Sequence, residues 1–363
     1  EDFVAAMQDA SGVDLTQFKR WYEQAGTPIV DSSDAYDPAT RRYTLTLRQH
    51  CPPTPGQDTK LPFHIPVALG LIDAAGRDLP LQLADDAAAQ GTTRVLSLST
   101  AETSFEFVDV PERPVPSLLR GFSAPVILRH TYTDANLAHL MAHDSDSFNR
   151  WEAGQRLALN VLMRGIEARR AGEVVVFPED FIAACARLLA DAAGDPAFAA
   201  EALSLPQAGY LAEQFEEADP DAIFEVRTAL RRMLAARLEK QWVAAYESSI
   251  TRGPYSPDPA SAGKRALRNL ALGFLMELEQ PAWYARCLAQ LTQADNMTDA
   301  SAALGLLANA DCPEREQALT AFHTRWAHEP LVLDKWFGVQ ASSRLPGTLA
   351  EVRALLAHPA FGL

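Results

Sequence analysis

The sequence predicts a multidomain β-then-α chain, an antiparallel Ig-like β-sandwich followed by an all-α irregular superhelix (a solenoid). Three observations predict it. Apolar residues alternate with a period of two from Val30 to about Leu128. After Phe148 that alternation disappears and apolar residues recur at helical spacing. Prolines then fall at the breaks between the helical runs, where a first-turn proline is tolerated.

The opening stretch is expected to pack on something outside itself. Phe3, Val4 and Met7 form one face of a helix that Ser11-Gly12 terminates. Asp14 with Gln17 forms a capping box for a second short helix, whose apolar face is Leu15, Phe18, Trp21, Tyr22 and Ala25. Gly26 ends it, and Pro28 turns the chain extended toward Ile29 and Val30. An aromatic face this dense must be buried. Phe18, Trp21 and Tyr22 are therefore assigned to a domain interface, and residues 1–28 to the terminal helices of a missing upstream domain.

The β domain is assigned to 29–130. Tyr43, Leu45 and Leu47 alternate with polar neighbours, as do Ile65, Val67, Leu69 and Leu71, then Val95, Leu96 and Leu98, Phe105 and Phe107, and Val126 and Leu128. Turn chemistry separates these runs at Asp37-Pro38, a proline-rich loop over 51–62, Ala75-Gly76, Gln90-Gly91 and 111–116. About seven short strands without a helix-length run fit a sandwich.

The hinge is placed between Ser123 and Phe148, and the helical domain over 131–363. Phe148, Trp151, Leu157, Val161 and Leu162 begin a long amphipathic helix ending near Gly172. Further helices are predicted over 179–193, 220–249, 261–279, 281–293, 300–308, 313–327 and 349–357. No fixed period is legible, and short helices with tight turns predict stacked pairs. Ala183, Ala184, Ala186 and Ala190 are expected to let helices approach closely. The superhelix is expected to be truncated at its C-terminus, leaving an apolar face open to self-association or a last helix that frays.

Composition narrows the function. The chain carries 32 basic and 47 acidic residues, a net charge of −15. That balance argues against a nucleic-acid or anionic-membrane partner. Cys51, Cys185, Cys287 and Cys312 are far apart and form no metal-binding pattern, which predicts free thiols in a reducing compartment, and the assignment is cytoplasmic. No signal peptide and no apolar run of membrane length is visible, and the sequon Asn296-Met297-Thr298 is discounted as a glycosylation site.

Five collinear stretches carry a family resemblance. Val13 to Tyr22 with Ala25-Gly26-Thr27-Pro28 closely resembles the end of the catalytic domain in the bacterial aminopeptidase N family of zinc-dependent gluzincins. Phe122-Ser123-Ala124-Pro125-Val126, the run Lys264 to Asn269, Asn296-Met297-Thr298-Asp299 and Asp334-Lys335-Trp336-Phe337 continue it in order, across nearly the whole chain. The resemblance implies a sandwich and part of a C-terminal helical superhelix, with the catalytic domain lacking. It also implies that the parent uses zinc-activated water to release N-terminal amino acids from peptides.

Catalytic residues are expected to be none. Gluzincin chemistry needs His-Glu-x-x-His on one helix, two imidazoles holding zinc and a glutamate between them. That motif does not occur here. The nearest match, His139-Leu140-Met141-Ala142-His143, places two imidazoles on one helical face but puts Leu140 where the base belongs. His139 and His143 are weak metal candidates needing a third ligand from Asp144 or Asp146. The expectation is no metal in this chain, with zinc in the parent only. Gly273-Phe274-Leu275-Met276-Glu277-Leu278 faintly resembles the family's Gly-x-Met-Glu-Asn strand, but its helical spacing reads as core. Trp326, Trp336, Phe322 and Phe337 likewise read as solenoid core rather than a peptide cradle.

Two functions follow. The first is the non-catalytic C-terminal region of a zinc aminopeptidase, its sandwich a spacer and its helical domain a cap restricting access to the active-site cavity. Its partners are then its own upstream catalytic domain and, through the parent, peptide substrates. The alternative is a free-standing sandwich-plus-solenoid scaffold that binds a peptide or protein partner.

Overall fold

A computed structural model describes residues 2–251 and 253–362; Glu1 and Leu363, which bound the expected domains, lie outside the described residues. The chain forms two compact units, 1–160 and 161–363. No described helix is long and apolar enough to cross a membrane.

The first unit opens with helices α1 (Asp2–Ser11) and α2 (Arg20–Glu23). Seven strands follow: β1 (Ile29–Asp37), β2 (Arg42–His50), β3 (Ile65–Ile72), β4 (Arg94–Leu98), β5 (Glu102–Phe107), β6 (Val115–Leu118) and β7 (Ile127–Arg129). They form two sheets, ordered β5-β2-β1-β7 and β4-β3-β6. Every pairing is antiparallel except β1 with β7, where Ile29 lies opposite Ile127. The two sheets bury one core: Tyr43, Leu45 and Leu47 from β2 meet Ile65, Val67, Leu69 and Leu71 from β3, with Leu96, Leu98 and Phe107. The alternation of β2 is therefore the signature of one face buried against the other sheet.

Polar side chains fix this core at its edges. The Asp37 carboxylate accepts from Ala39 N and Thr40 Oγ1, closing the β1–β2 hairpin, where Arg41 adopts φ 52°. The amide of buried Gln49 donates to Phe63 O, Leu98 O and Thr100 O, and its Oε1 accepts from Phe63 N at 2.7 Å. One side chain thus ties β2 to the ends of β3 and β4. Two short strands, β6 starting at the end of the proline-rich 111–116 segment and the three-residue β7, are formed by pairing to β3 and β1 rather than by local propensity.

Helix α3 (Asp134–His143) starts at a Thr133–Asn136 capping box. The 24-residue α4 (Ser147–Arg170) follows, and the division between the units falls within it. The rest is helical: α5 (Glu179–Asp191), α6 (Pro196–Ala202), α7 (Ala208–Ala212), α8 (Pro220–Arg237), α9 (Glu239–Ser248), α10 (Pro259–Met276), α11 (Pro281–Gln293), α12 (Met297–Leu307), α13 (Pro313–Trp326), α14 (Pro330–Ala341) and α15 (Thr348–Leu355). The Asp195-Pro196, Asp219-Pro220 and Asp258-Pro259 pairs start α6, α8 and α10: each aspartate caps an N–H and each proline fills the first turn. Asn296 of the discounted sequon is likewise an N-cap, accepting from Asp299 N at 2.9 Å.

Several sequence expectations are corrected here. The helix over 220–249 breaks at Leu238, whose φ of −116° and ψ of 23° are not helical; the buried Trp242 indole donates to Leu234 O at 3.2 Å across the break. Helices α6, α7 and α14, which the sequence reading did not place, are short or begin at prolines read there only as breaks. Of the four alanines expected to let helices approach, only Ala184 is buried. The close approach occurs instead at Gly263 of α10, where a Cβ would stand 3.0 Å from the Ala197 Cβ of α6.

Trp242 is the largest fully buried side chain of the second unit and stacks on Phe274 with centroids 4.0 Å apart. Replacing it by alanine is expected to cost about 3–5 kcal/mol of stability, read as a lowered urea midpoint. A loss below about 1 kcal/mol would mean that this stack is not central to the helical core.

Candidate functional site

The opening segment reaches the sandwich through side chains aimed at main-chain oxygens. Trp21 Nε1 donates to His64 O at 3.0 Å, and its ring packs 4.7 Å from that of Phe63. Gln17 Nε2 donates to Ser99 O at 2.6 Å and Pro62 O at 3.2 Å, Arg20 also bonds Pro62 O, and Gln24 exchanges hydrogen bonds with both Leu61 N and O. The proline-rich loop is thereby fastened to 17–24. These long-range bonds displace the expected capping box: Asp14 accepts locally from Thr16 N at 2.9 Å, Gln17 turns to the sandwich, and only 20–23 remains α-helical.

The three assigned interface residues separate. Trp21 is half-buried on the sandwich core, whereas Phe18 is 36% and Tyr22 71% exposed, their rings 6.0 Å apart edge-to-face. Phe3 at 72% and Met7 at 47% extend an exposed apolar surface on the same segment.

His139 and His143 lie side by side, their rings 4.9 Å apart and tilted at 41°, but they face the loop that follows β3. His139 Nε2 bonds Asp73 O at 2.8 Å, and the His143 ring covers Gly76, where a Cβ would overlap it. The third ligands proposed for them are engaged elsewhere. Asp144 accepts from Arg120 at 3.0 Å and Asp146 N at 2.9 Å; Asp146 accepts from Gly121 N and Asn149 N, each at 2.9 Å. Among the described residues no three His, Cys, Asp or Glu side chains converge to hold a metal ion.

A buried network lies where these aspartates lead. The Arg120 guanidinium, almost fully buried, bonds Ser117 Oγ at 2.9 Å, Thr93 Oγ1 at 2.8 Å, Asp78 at 2.5 Å and Asp144. It lies flat on Gly70 of β3, where any Cβ would overlap it. Asn149 of α4 donates to Ser117 Oγ and Leu118 O, and Ser123 Oγ accepts from Ala68 N at 2.9 Å. The Asp144 side chain is wholly buried with Oδ2 unpartnered among the described residues, and burial raises its pKa above the usual carboxylate value despite Arg120. Sequence reasoning missed Arg120; the signal was a lone arginine inside the apolar run Leu118-Leu119-Arg120.

In the second unit the Lys264–Asn269 and Asn296–Asp299 stretches come together. Asn269 Nδ2 donates to Asp299 Oδ1 at 3.0 Å, Arg268 to Oδ2 at 3.4 Å, and Gln290 Nε2 to Asn269 Oδ1 at 2.7 Å. This links α10, α11 and α12. Gly273 lies in α10, where its carbonyl accepts from Arg231 at 2.9 Å, and Glu277 pairs with the same arginine at 3.1 Å. Of the aromatics once weighed as a cradle, Phe322 is buried and Trp336 Nε1 donates to Leu319 O at 3.0 Å, while Phe337 packs edge-on to Trp336. Cys185 and Cys287 are buried, and burial pushes the Cys185 thiol up to about 12.

These features define an architecture class, an Ig-like sandwich followed by packed helical repeats. Residues 26–131 match a domain of unknown function with an Ig-like fold (DUF3458), and 134–363 match its companion of ARM repeats (DUF3458_C). The chain belongs to this DUF3458 family, and it matches the C-terminal part of aminopeptidase N. It is 41% identical over 361 residues to aminopeptidase N of Escherichia coli K12, and 41% over 362 residues to that of Caulobacter vibrioides. Each match covers 99% of this chain; the chain spans 41% and 40% of those relatives' lengths. Among solved structures, Legionella pneumophila aminopeptidase A in complex with aspartic acid superposes with a TM-score of 0.78 at 26% identity, over 99% of this chain and 41% of that one. The family boundary near 131–134 differs from the compactness division after Asn160, because α3 and the start of α4 pack with the residues before them.

Asp144 yields a graded prediction. Asp144→Ala is expected to cost about 3–5 kcal/mol by leaving Arg120 with one carboxylate fewer in a buried site, and Asp144→Asn less because Oδ1 remains an acceptor. Since the folded chain holds the Asp144 proton to higher pH than the unfolded chain, whose value is near 3.8, the native chain loses stability relative to D144N as pH rises above that value. Urea melts of both chains across pH 3.5 to 7 check the sign; a constant difference would refute it.

Proposed function

We propose that this chain is the non-catalytic C-terminal region of a zinc aminopeptidase whose catalytic domain lies outside these residues. The parent releases N-terminal amino acids from peptides, with the reaction centred on a zinc held elsewhere. The donor groups here do not fit that metal: the imidazoles of His139 and His143 serve the loop after β3, and Asp144 and Asp146 serve Arg120 and the start of α4. No catalytic step is therefore assigned to this chain.

In this reading residues 1–28 belong with the upstream domain, 29–130 form the spacer sandwich, and 131–363 form the helical cap that restricts access to the active-site cavity. The parent is placed in the cytoplasm, in keeping with free thiols and a net charge of −15. One observation carries the reading: the opening segment uses Trp21 to hold the sandwich yet leaves Phe3, Phe18 and Tyr22 exposed, in a chain collinear with aminopeptidase N over 99% of its length.

Mixing the chain with a separately prepared catalytic domain tests this. The chain alone is expected to leave an alanyl chromogenic substrate uncleaved, and the mixture to bind and restore turnover. Phe18→Ser with Tyr22→Ser should weaken association about thirtyfold, near 2 kcal/mol, without lowering the chain's own melting temperature. Turnover by the chain alone, or association indifferent to both substitutions, would overturn the proposal.

A further inference from the structure

The first unit contains a half-open cavity of about 260 Å³ that nothing above employs, lined by the turn at 119–122 and by α3 and α4. Leu118, Leu128, Leu137 and Leu140 make its wall apolar. Two charged side chains interrupt the wall, Glu152 and Arg156, one helical turn apart on α4. Side chains so spaced stand about 5–6 Å apart at Cβ.

Neither charge is fully satisfied by its surroundings. Among the described residues the Glu152 carboxylate receives no hydrogen bond, and burial raises its pKa. Arg156 gives one Nη2 hydrogen bond to His130 O at 3.2 Å and lies 5.2 Å over the Tyr132 ring, with no carboxylate at ion-pair distance among the described residues. Burial outweighs the attraction of Arg156 on Glu152, so a group bonding both side chains at once would stabilise them. On the rim, Leu119 and Phe122 hold φ of 59° and 52°, a left-handed backbone uncommon for residues other than glycine.

We infer that this cavity binds one free apolar L-amino acid, its side chain among the leucines, its ammonium on Glu152 and its carboxylate on Arg156. Opposite charges on a single α-carbon bridge the two side chains together. An amine alone would meet Arg156 uncompensated, and a carboxylate alone would meet Glu152, so the zwitterion is favoured over either. The volume lies below the ~300–1,000 Å³ of drug-sized pockets, which selects a single residue over a peptide.

Isothermal titration of the intact chain with leucine, 4-methylpentanoate, isoamylamine and glycine tests this. Leucine is expected to bind one to one, and each analogue lacking a charge or the side chain to bind about tenfold more weakly. Glu152→Gln is expected to weaken leucine binding about tenfold and to erase the difference between leucine and 4-methylpentanoate, which lacks the ammonium. Circular dichroism confirms that this near-isosteric variant is folded. No binding of leucine to the folded chain, equal affinity for leucine and its charge-deleted analogues, or a Glu152→Gln variant that still discriminates them would each overturn the inference.

Discussion

The buried contact between Arg120 and Asp144 is the constraint on which the first unit depends. Arg120 follows β6 and lies across Gly70 of β3, while Asp144 stands between α3 and α4. Sandwich and helices therefore share one ion pair, joined by Asp78, Ser117 and Asn149. A charge so deeply buried is tolerated only when its donors are engaged, and Arg120 engages its donors with oxygens from four separate stretches of chain. The glycine at 70 is part of the same device, since the guanidinium occupies the space of a side chain. The turn 119–122, left-handed at Leu119 and Phe122, carries Arg120 and forms one wall of the cavity.

The second unit solves the same problem differently. Its apolar core is built from helix faces, but register between helices is set by polar side chains that cross from one to the next: Asn269 and Gln290 around Asp299, Arg231 on Gly273 O and Glu277, and Arg315 on Ala308 O and Glu351. Helix faces rich in alanine and leucine slide against one another at little cost, whereas a hydrogen bond to one particular carbonyl does not. Two of these crossing residues, Asn269 and Asp299, lie in stretches that carry the likeness to aminopeptidase N. They mark architecture, and no donor set among them resembles a hydrolytic centre.

Much of this was legible in the sequence where a local rule governs. Alternation of Tyr43, Leu45 and Leu47 marks a sheet face, and prolines at the breaks mark the starts of α8 and α10. Illegible were features decided by distant partners. Gln17 reads as half of a capping box but bonds Ser99 and Pro62, some eighty and forty-five residues away. The break at Leu238 has no glycine or proline to announce it. Asp144 and Asp146 read as spare ligands beside a histidine pair, because nothing in sequence spacing reveals that an arginine twenty-four residues earlier holds one of them. The cavity walls come from stretches separated by loops, so its charged pair was visible only as two unremarkable helix residues.

The fastening of the opening segment carries an evolutionary consequence. Gln17, Arg20, Trp21 and Gln24 all read oxygens of the peptide backbone, those of Ser99, Pro62, His64 and Leu61. A carbonyl is the same whichever amino acid supplies it. The proline-rich loop is thus free to drift in identity as long as its path is kept, while the four reading side chains are not. Mutational tolerance across this junction should be lopsided, with diversity accumulating on one bank and stasis on the other.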